Sequence, residues 1–359
     1  MSHFKTTLLS AAIAATTMAA GSASAYMLGD PNDANVEVYG VVSISAVDYG
    51  AKKFDDAGNS VTEEGMVFEN ESRVGFRAAK VMTDDVEAFM QIESGWVLDD
   101  GAKLGNRDTF VGFRGEDWGA VRFGRMLTPL YELVDWPYSA SNMGTTFDRG
   151  WRAGERFNFD RKSQMARYDS PMLGDMVKFS LAGGNGSFKD KDSNFFGGSV
   201  SVTPHERITL HAAFETADKT DFDTDLIGDT SAYFGGVEFR LTDNWNILGA
   251  YKVADFEADN KLGAYHERDI TAYSLQTNYY MGDMNFRLGY ADQEGDTNDI
   301  KDDTLDFTTL TGEVGYSFNS VYTFLRIAQH SGTYRTGSGT YTGQDYDDLM
   351  VRIGTEWTF

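Results

Sequence analysis

The sequence predicts an all-β chain, a 16-stranded antiparallel transmembrane β-barrel with an inward-folded third loop. Two observations carry this expectation. Apolar and polar residues alternate with period 2 in segment after segment, the pattern of strands whose two faces meet different surroundings. The connections between these segments alternate strictly between tight turns and long polar stretches, as they do when strands run up and down through a barrel wall. Composition agrees: 5 Pro, 38 Gly and 14% aromatic residues suit many paired strands joined by turns. With no cysteine, an exported chain has no disulfide staples, so stability must come from closed backbone pairing or a large core.

Residues 1–25 carry Lys5, then an apolar run from Leu8 to Ala20, and end on Ser22-Ala23-Ser24-Ala25. A basic start, a short apolar core and a small-x-small end are the marks of a secretory signal peptide, here cleaved after Ala25. An anchor helix would need about 20 apolar residues, and this run is shorter and rich in Ala and Thr. Nothing beyond it approaches the length of about 18 apolar residues that a transmembrane helix requires. Barrel strands of about 10 residues stay open, because hydropathy averaging hides their alternating signal. Residues 26–359 then form a single barrel domain.

The first strand sets Val36, Val38, Val42, Ile44 and Ala46 against Glu37, Tyr39, Ser43 and Ser45. The second alternates Val74, Phe76 and Ala78 with Arg73, Gly75 and Arg77, and the third Val86, Ala88, Met90 and Ile92 with Glu87, Gln91 and Glu93. In the fourth, Thr109, Val111 and Phe113 oppose Asp108, Gly112 and Arg114. A soluble sandwich would hide the apolar face, whereas in a membrane barrel that face meets lipid and the polar one meets water.

Tight turns fall near Thr83-Asp84, Glu116-Asp117-Trp118, Pro171 to Gly174, Pro204-His205, Thr242-Asp243, Gly282 and Asn319. Between them lie eight long stretches: Tyr49 to Gly65, Val97 to Gly105, Met126 to Asp160, Gly183 to Ser193, Ala217 to Thr230, Asp255 to Arg268, Gln293 to Asp306 and Ser331 to Tyr346. Eight long connections and seven turns join sixteen strands, an even number that leaves both termini on the tight-turn side. Even strand count, short periplasmic turns and long external loops are the bacterial outer-membrane pattern.

The third stretch, Met126 to Asp160, is too long for a turn and holds Trp136, Tyr138, Phe147, Trp151, Phe157 and Phe159 among acids and arginines. Long connections without secondary structure of their own are usually functional or disordered, and aromatics at this density call for burial. The stretch is therefore expected to fold inward as the constriction of a pore. In the last strand Leu349, Val351, Ile353, Thr355, Trp357 and Phe359 share one face, and the chain ends on that aromatic.

Taken in order, Tyr39-Gly40, Ser72-Arg73-Val74-Gly75-Phe76, Phe110-Val111-Gly112-Phe113-Arg114-Gly115, Gly124-Arg125 with Thr128-Pro129-Leu130-Tyr131, Arg167-Tyr168-Asp169-Ser170-Pro171 and Glu356-Trp357-Thr358-Phe359 resemble the Gram-negative general-diffusion porins over the whole of residues 26–359. The resemblance implies an outer-membrane homotrimer, with the first and last strands at its interface, passing small hydrophilic solutes and ions by passive diffusion. It also implies that Trp357 and Phe359 belong to a signal read by the barrel-assembly machinery, and that lipid and lipopolysaccharide surround the barrel. The acidic Pro-Glu-Phe-Gly-Gly tip of enterobacterial constriction loops has no counterpart in this chain.

Strand parity places Arg73, Arg77, Arg114, Arg122 and Arg167 on the polar faces of strands two to six. Like charges crowded on a low-dielectric wall need water or carboxylates opposite, and the third loop offers Glu132, Asp135, Asp148 and Glu155. Arginines on the wall facing acids on the loop would set a transverse field across the constriction, as rings of charged side chains do in selective pores. The competing account pairs Arg114 and Arg122 with Glu87 or Glu116 as structural partners. Arg149, Arg152 and Arg156 of the loop could face the pore or pin the loop to acids such as Glu93.

Other classes are disfavoured. The 334 residues after Ala25 carry 30 basic and 55 acidic side chains, a net charge of −25, which argues against a nucleic-acid partner. The alternate Asp221, Asp223 and Asp225 lack the Gly and distal Glu of a calcium loop. Together with Asp292, Glu294, Asp296, Asp299, Asp302, Asp303, Asp345, Asp347 and Asp348, they are expected to form a solvated acidic rim. No metal site and no cofactor are expected. The histidines after Ala25, His205, His211, His266 and His330, suggest no nucleophile with an adjacent base, so an outer-membrane enzyme is the remote alternative and a substrate-specific channel the nearer one.

Overall fold

Alternation along the chain becomes a ladder of antiparallel strands in the computed structural model, which describes residues 26–28, 35–50, 52–54, 60–63, 65–95, 103–141, 143–147, 161–185, 192–223, 226–260, 265–297, 304–335 and 344–359. The strands are β1 (Asn35–Asp48), β2 (Val67–Asn70 continued by Arg73–Thr83), β3 (Val86–Gly95), β4 (Thr109–Gly115), β5 (Gly119–Leu127), β6 (Arg161–Asp169), β7 (Val177–Asn185) and β8 (Asn194–His205). They continue as β9 (Ile208–Asp223), β10 (Leu226–Thr242), β11 (Trp245–Asn260), β12 (Tyr265–Met281), β13 (Met284–Thr297), β14 (Thr304–Phe318), β15 (Val321–Arg335) and β16 (Gln344–Thr358). Each pairs with its neighbour, and β16 returns to β1 in register from Val41↔Thr358 to Asp48↔Val351. Closure removes the open edges and satisfies the backbone between strands, the condition for crossing a membrane without helices. The short strand Tyr26–Leu28 covers the lower edge of β1 through Tyr26↔Val38 to Leu28↔Val36.

All seven tight turns fall within two residues of where the sequence places them, the one expected at Pro204-His205 lying at Glu206-Arg207. Gly282 (φ 60°) and Asn319 (φ 52°) supply the left-handed backbone that such turns need and that Gly and Asn adopt at least cost. Several of the long connections are shorter than the sequence suggests. The polar sequence from Ala217 to Thr230 reads as loop, yet Ala217↔Thr230, Thr220↔Gly228, Asp221↔Ile227 and Asp223↔Leu226 are paired, and β11, β12 and β15 likewise run on through polar sequence. Ladder bonds join backbone groups, so polar side chains do not stop a strand once it stands in water.

The two faces are sharply unlike. Phe76, Val111, Phe113, Phe123, Leu181, Tyr233, Tyr251, Leu275, Leu288, Leu310, Leu325, Ile353 and Trp357 are exposed on one of them, an apolar belt suited to hydrocarbon. The other face carries Ser43, Ser45, Glu93, Arg167, Glu215, Lys252, Gln276, Arg287, Glu313 and Arg352, all buried.

On this polar face lies the segment that follows β5. Thr128 Oγ1 accepts a bond from the Tyr131 amide at 3.2 Å, and Pro129 stands in the first turn. That N-cap starts helix α1 (Pro129–Asp135) within a stretch expected to have no secondary structure. Leu130, Val134, Tyr138, Met143 and Phe147 are buried against Ala213, Ala232, Phe234, Leu248, Ala250, Ala254, Ala272 and Ala291. Small side chains on β9 to β13 leave room for the large ones of the segment. At Gly236 there is no room for even a methyl group: a Cβ would come within 2.6 Å of the Tyr138 hydroxyl.

Candidate functional site

The polar face and the segment on it are held together mostly by wall side chains that donate to segment carbonyls. Gln276 Nε2 donates to Pro137 O at 2.6 Å, Ser274 Oγ to Tyr138 O at 2.8 Å, Thr311 Oγ1 to Ser141 O at 2.7 Å and Lys252 Nζ to Phe147 O at 2.5 Å. A non-helical segment leaves carbonyls without internal partners, and these donors satisfy them where water is excluded. Tyr138 is fully buried, and burial together with the nearby charge of Glu238 pushes its phenol above the ordinary range, so it stays neutral.

The five predicted wall arginines share the polar face but differ in surroundings. Arg73, Arg77 and Arg114 are exposed. Arg77 lies 3.8 Å from the Tyr39 ring centroid and donates from Nε to Gln91 Oε1 at 3.0 Å. Arg114 pairs with Glu87 at 2.5 Å and stacks over Phe89 at 4.9 Å. Arg122 binds Asp169 at 2.6 Å. Arg167 is only 4% exposed; it pairs with Asp169 and with Glu132 and donates to Leu127 O at 3.1 Å. Of the loop acids, Glu132 meets Arg167, and Asp135 is exposed at the end of α1. Asp148 and Glu155 lie outside the described residues, as do Arg149, Arg152 and Arg156.

A second charged cluster was not anticipated. Arg287 of β13, Glu313 of β14, Arg326 of β15 and Arg352 of β16 are successive register partners. The Glu313 carboxylate is fully buried and receives Arg326 at 2.6 Å, the Tyr322 hydroxyl at 2.7 Å and Arg287 at 3.3 Å; a carboxylate so far from water persists only with several donors. Arg352 reaches across the seam to Glu69 at 2.6 Å. Beyond the seam, on β3, Glu93 binds Arg107 at 2.6 Å and the Tyr39 hydroxyl at 2.9 Å. The signal for these was available: the same period-2 count, carried into β13 to β15, puts Arg287 between the exposed or half-buried Phe286 and Leu288, and Arg326 between the exposed Leu325 and Ile327. Ser201, His211 and Glu238 also line up, with His211 Nδ1 2.8 Å from Ser201 Oγ and Nε2 2.9 Å from Glu238 Oε1, beneath the Tyr138 ring. Among the described residues no group of three or more His, Cys, Asp or Glu side chains could hold a metal ion.

A closed barrel with a lipid-type belt outside, charged clusters on its other face and a long segment packed on that face has its counterpart among known proteins. The family described as Gram-negative porin matches residues 9–334. This chain belongs to the Gram-negative porins. The porin is 34% identical to a chitoporin of Vibrio furnissii, with 99% of each chain covered. It is 24% identical to a monosaccharide porin of a Halomonas species, with 89% of this chain and 78% of the relative covered. Its fold matches the solved anion-selective porin of Comamonas acidovorans with a TM-score of 0.69, covering 91% of this chain and all of the other at 17% identity. The family and the barrel place the porin in the outer membrane and make it a channel and not an enzyme.

Proposed function

We propose that this porin forms a water-filled pore selective for small saccharides, with the stretch from Met126 to Asp160 as the inward-folded third loop that narrows it. The observation that carries the saccharide reading is the end-to-end likeness to a chitoporin at 34% identity, with a monosaccharide porin as a second relative. The geometry is compatible. Trp136 is half-buried at the end of α1, with the Arg287 guanidinium 5.7 Å from its ring. A flat aromatic face complements the apolar face of a sugar ring while nearby polar groups fix its orientation.

In this reading Arg73, Arg77 and Arg114 form the positive wall, and Glu132 and Asp135, joined by Asp148 and Glu155, form the acidic side. Arg122 and Arg167 hold the constriction in place through Asp169 and Glu132. Residues 1–25 are removed after Ala25, and residues 26–359 assemble as a homotrimer among lipid and lipopolysaccharide; a solved relative of the same fold is described in a trimer form. Trp357 and Phe359 serve the barrel-assembly machinery.

The test is single-channel recording in a planar bilayer with N,N′-diacetylchitobiose and glucose. Concentration-dependent interruptions of the ion current by a sugar are expected. A current that falls only as far as the added solute lowers bulk conductivity would make this a general-diffusion pore.

A further inference from the structure

We propose that the sugar contact at Trp136 extends into a recess on the tight-turn side of the constriction, built from side-chain amides of β11 and β12. It rests on the saccharide reading above and extends it from the third loop to side chains of the barrel wall. Asn246 of β11 and Asn278 of β12 are register partners, and Gln276 stands two residues along the same face, opposite Leu248. Gln276 is 3% and Asn278 6% exposed. Yet Asn246 Oδ1, Asn278 Oδ1 and Gln276 Oε1 accept no hydrogen bond from the described residues, while the Gln276 amide nitrogen is committed to Pro137 O. All three line one recess of about 350 Å³ roofed by Trp136 and Pro137, within the roughly 300–1,000 Å³ of small-molecule sites.

Three buried carbonyl oxygens without donors on one wall are costly unless something supplies donors to them. The register extends the row on both sides, with Arg240 opposite Asn246 and Arg287 opposite Asn278, so the acceptors are flanked by guanidinium donors. A hydroxyl group both donates and accepts and satisfies both kinds of neighbour. Charge narrows the class further. Glu206, Glu238 and Asp243 also line the recess and oppose an anionic sugar, while Arg240 and Arg287 oppose an amine. The ligand that fits is a neutral polyhydroxylated ring, held by its hydroxyls at the amides and by its flat face at Trp136.

The test compares the intact porin with the double variant Asn246→Leu, Asn278→Leu in planar bilayers, adding N,N′-diacetylchitobiose on the tight-turn side. Leucine keeps the side-chain volume and removes the acceptors. The half-blocking concentration should rise about tenfold in the variant, with the open-channel conductance unchanged. An unchanged half-blocking concentration overturns the recess while leaving the saccharide reading standing; absence of block in the intact porin overturns both. Glucuronic acid or glucosamine blocking more strongly than the neutral disaccharide would overturn the ligand class. Should the double variant open no channels, Asn278→Ala is measured in the same way and decides by the same outcomes.

Discussion

Arg167 on β6 and Glu132 on α1 form an ion pair that joins the barrel wall to the segment lying across it. Arg167 stands directly opposite Arg122 in the β5–β6 register, an unfavourable placement for two like charges. Asp169 relieves it by accepting from Arg122 through one oxygen and from Arg167 through the other, at 2.6 and 2.9 Å. Glu132 is the second acid that balances the pair, and it comes from the segment.

Removing Arg167 should therefore act on stability before it acts on selectivity. Arg167→Met leaves Asp169 in a buried site with one cation fewer, and losing one partner of a buried pair costs about 3–5 kcal/mol. Glu132→Gln alters a side chain that is half-exposed at 52% and should cost no more than about 1 kcal/mol. Thermal unfolding followed by circular dichroism in detergent measures both. Equal losses would show that the contact with α1, not the wall pairing with Asp169, carries the effect.

The terminal aromatic closes the barrel. Phe359 and Gly40 exchange two backbone hydrogen bonds of 3.0 Å, and a Cβ at residue 40 would lie 2.6 Å from the Phe359 ring and 2.7 Å from Arg73 O. Deleting Phe359, or replacing Gly40 with Val, should slow assembly while export continues. The readout is the fraction of protein migrating as folded barrel in unheated gel samples. Wild-type fractions in both variants would remove Phe359 from the assembly signal.

Selectivity should respond differently to wall and rim. Arg73→Ser with Arg77→Ser removes two exposed cations and should raise cation preference at every salt concentration, because ions at a constriction pass within the roughly 3 Å over which a charge still acts at 1 M. Neutralising Asp292 and Glu294 should lower cation preference mainly in dilute salt, since screening shortens their reach from about 10 Å at 0.1 M to about 3 Å at 1 M. Reversal potentials unmoved by the arginine replacements would take Arg73 and Arg77 off the ion path.

Much of this protein was legible from local pattern. Period-2 alternation set the two faces of β1 to β4, since a strand residue points to one side or the other and an apolar belt cannot face water. The tight turns announced themselves through residues such as Gly282 and Asn319. Even α1 was written in Thr128-Pro129 with Glu132 following, an N-cap signal overshadowed by the aromatic density of the stretch. What the chain's own order could not decide was pairing across distance. Arg167 has Asp169 two residues away, but Glu132 is 35 residues distant. Glu313 is buried only because β13 and β15 bring Arg287 and Arg326 to either side of it. The ends of the long strands also escaped, because backbone ladders persist through polar sequence wherever a neighbouring strand continues. Side-chain parity is a property of each strand alone, whereas ion pairs, the seat of the segment and the amides beneath Trp136 depend on which strands closure sets side by side.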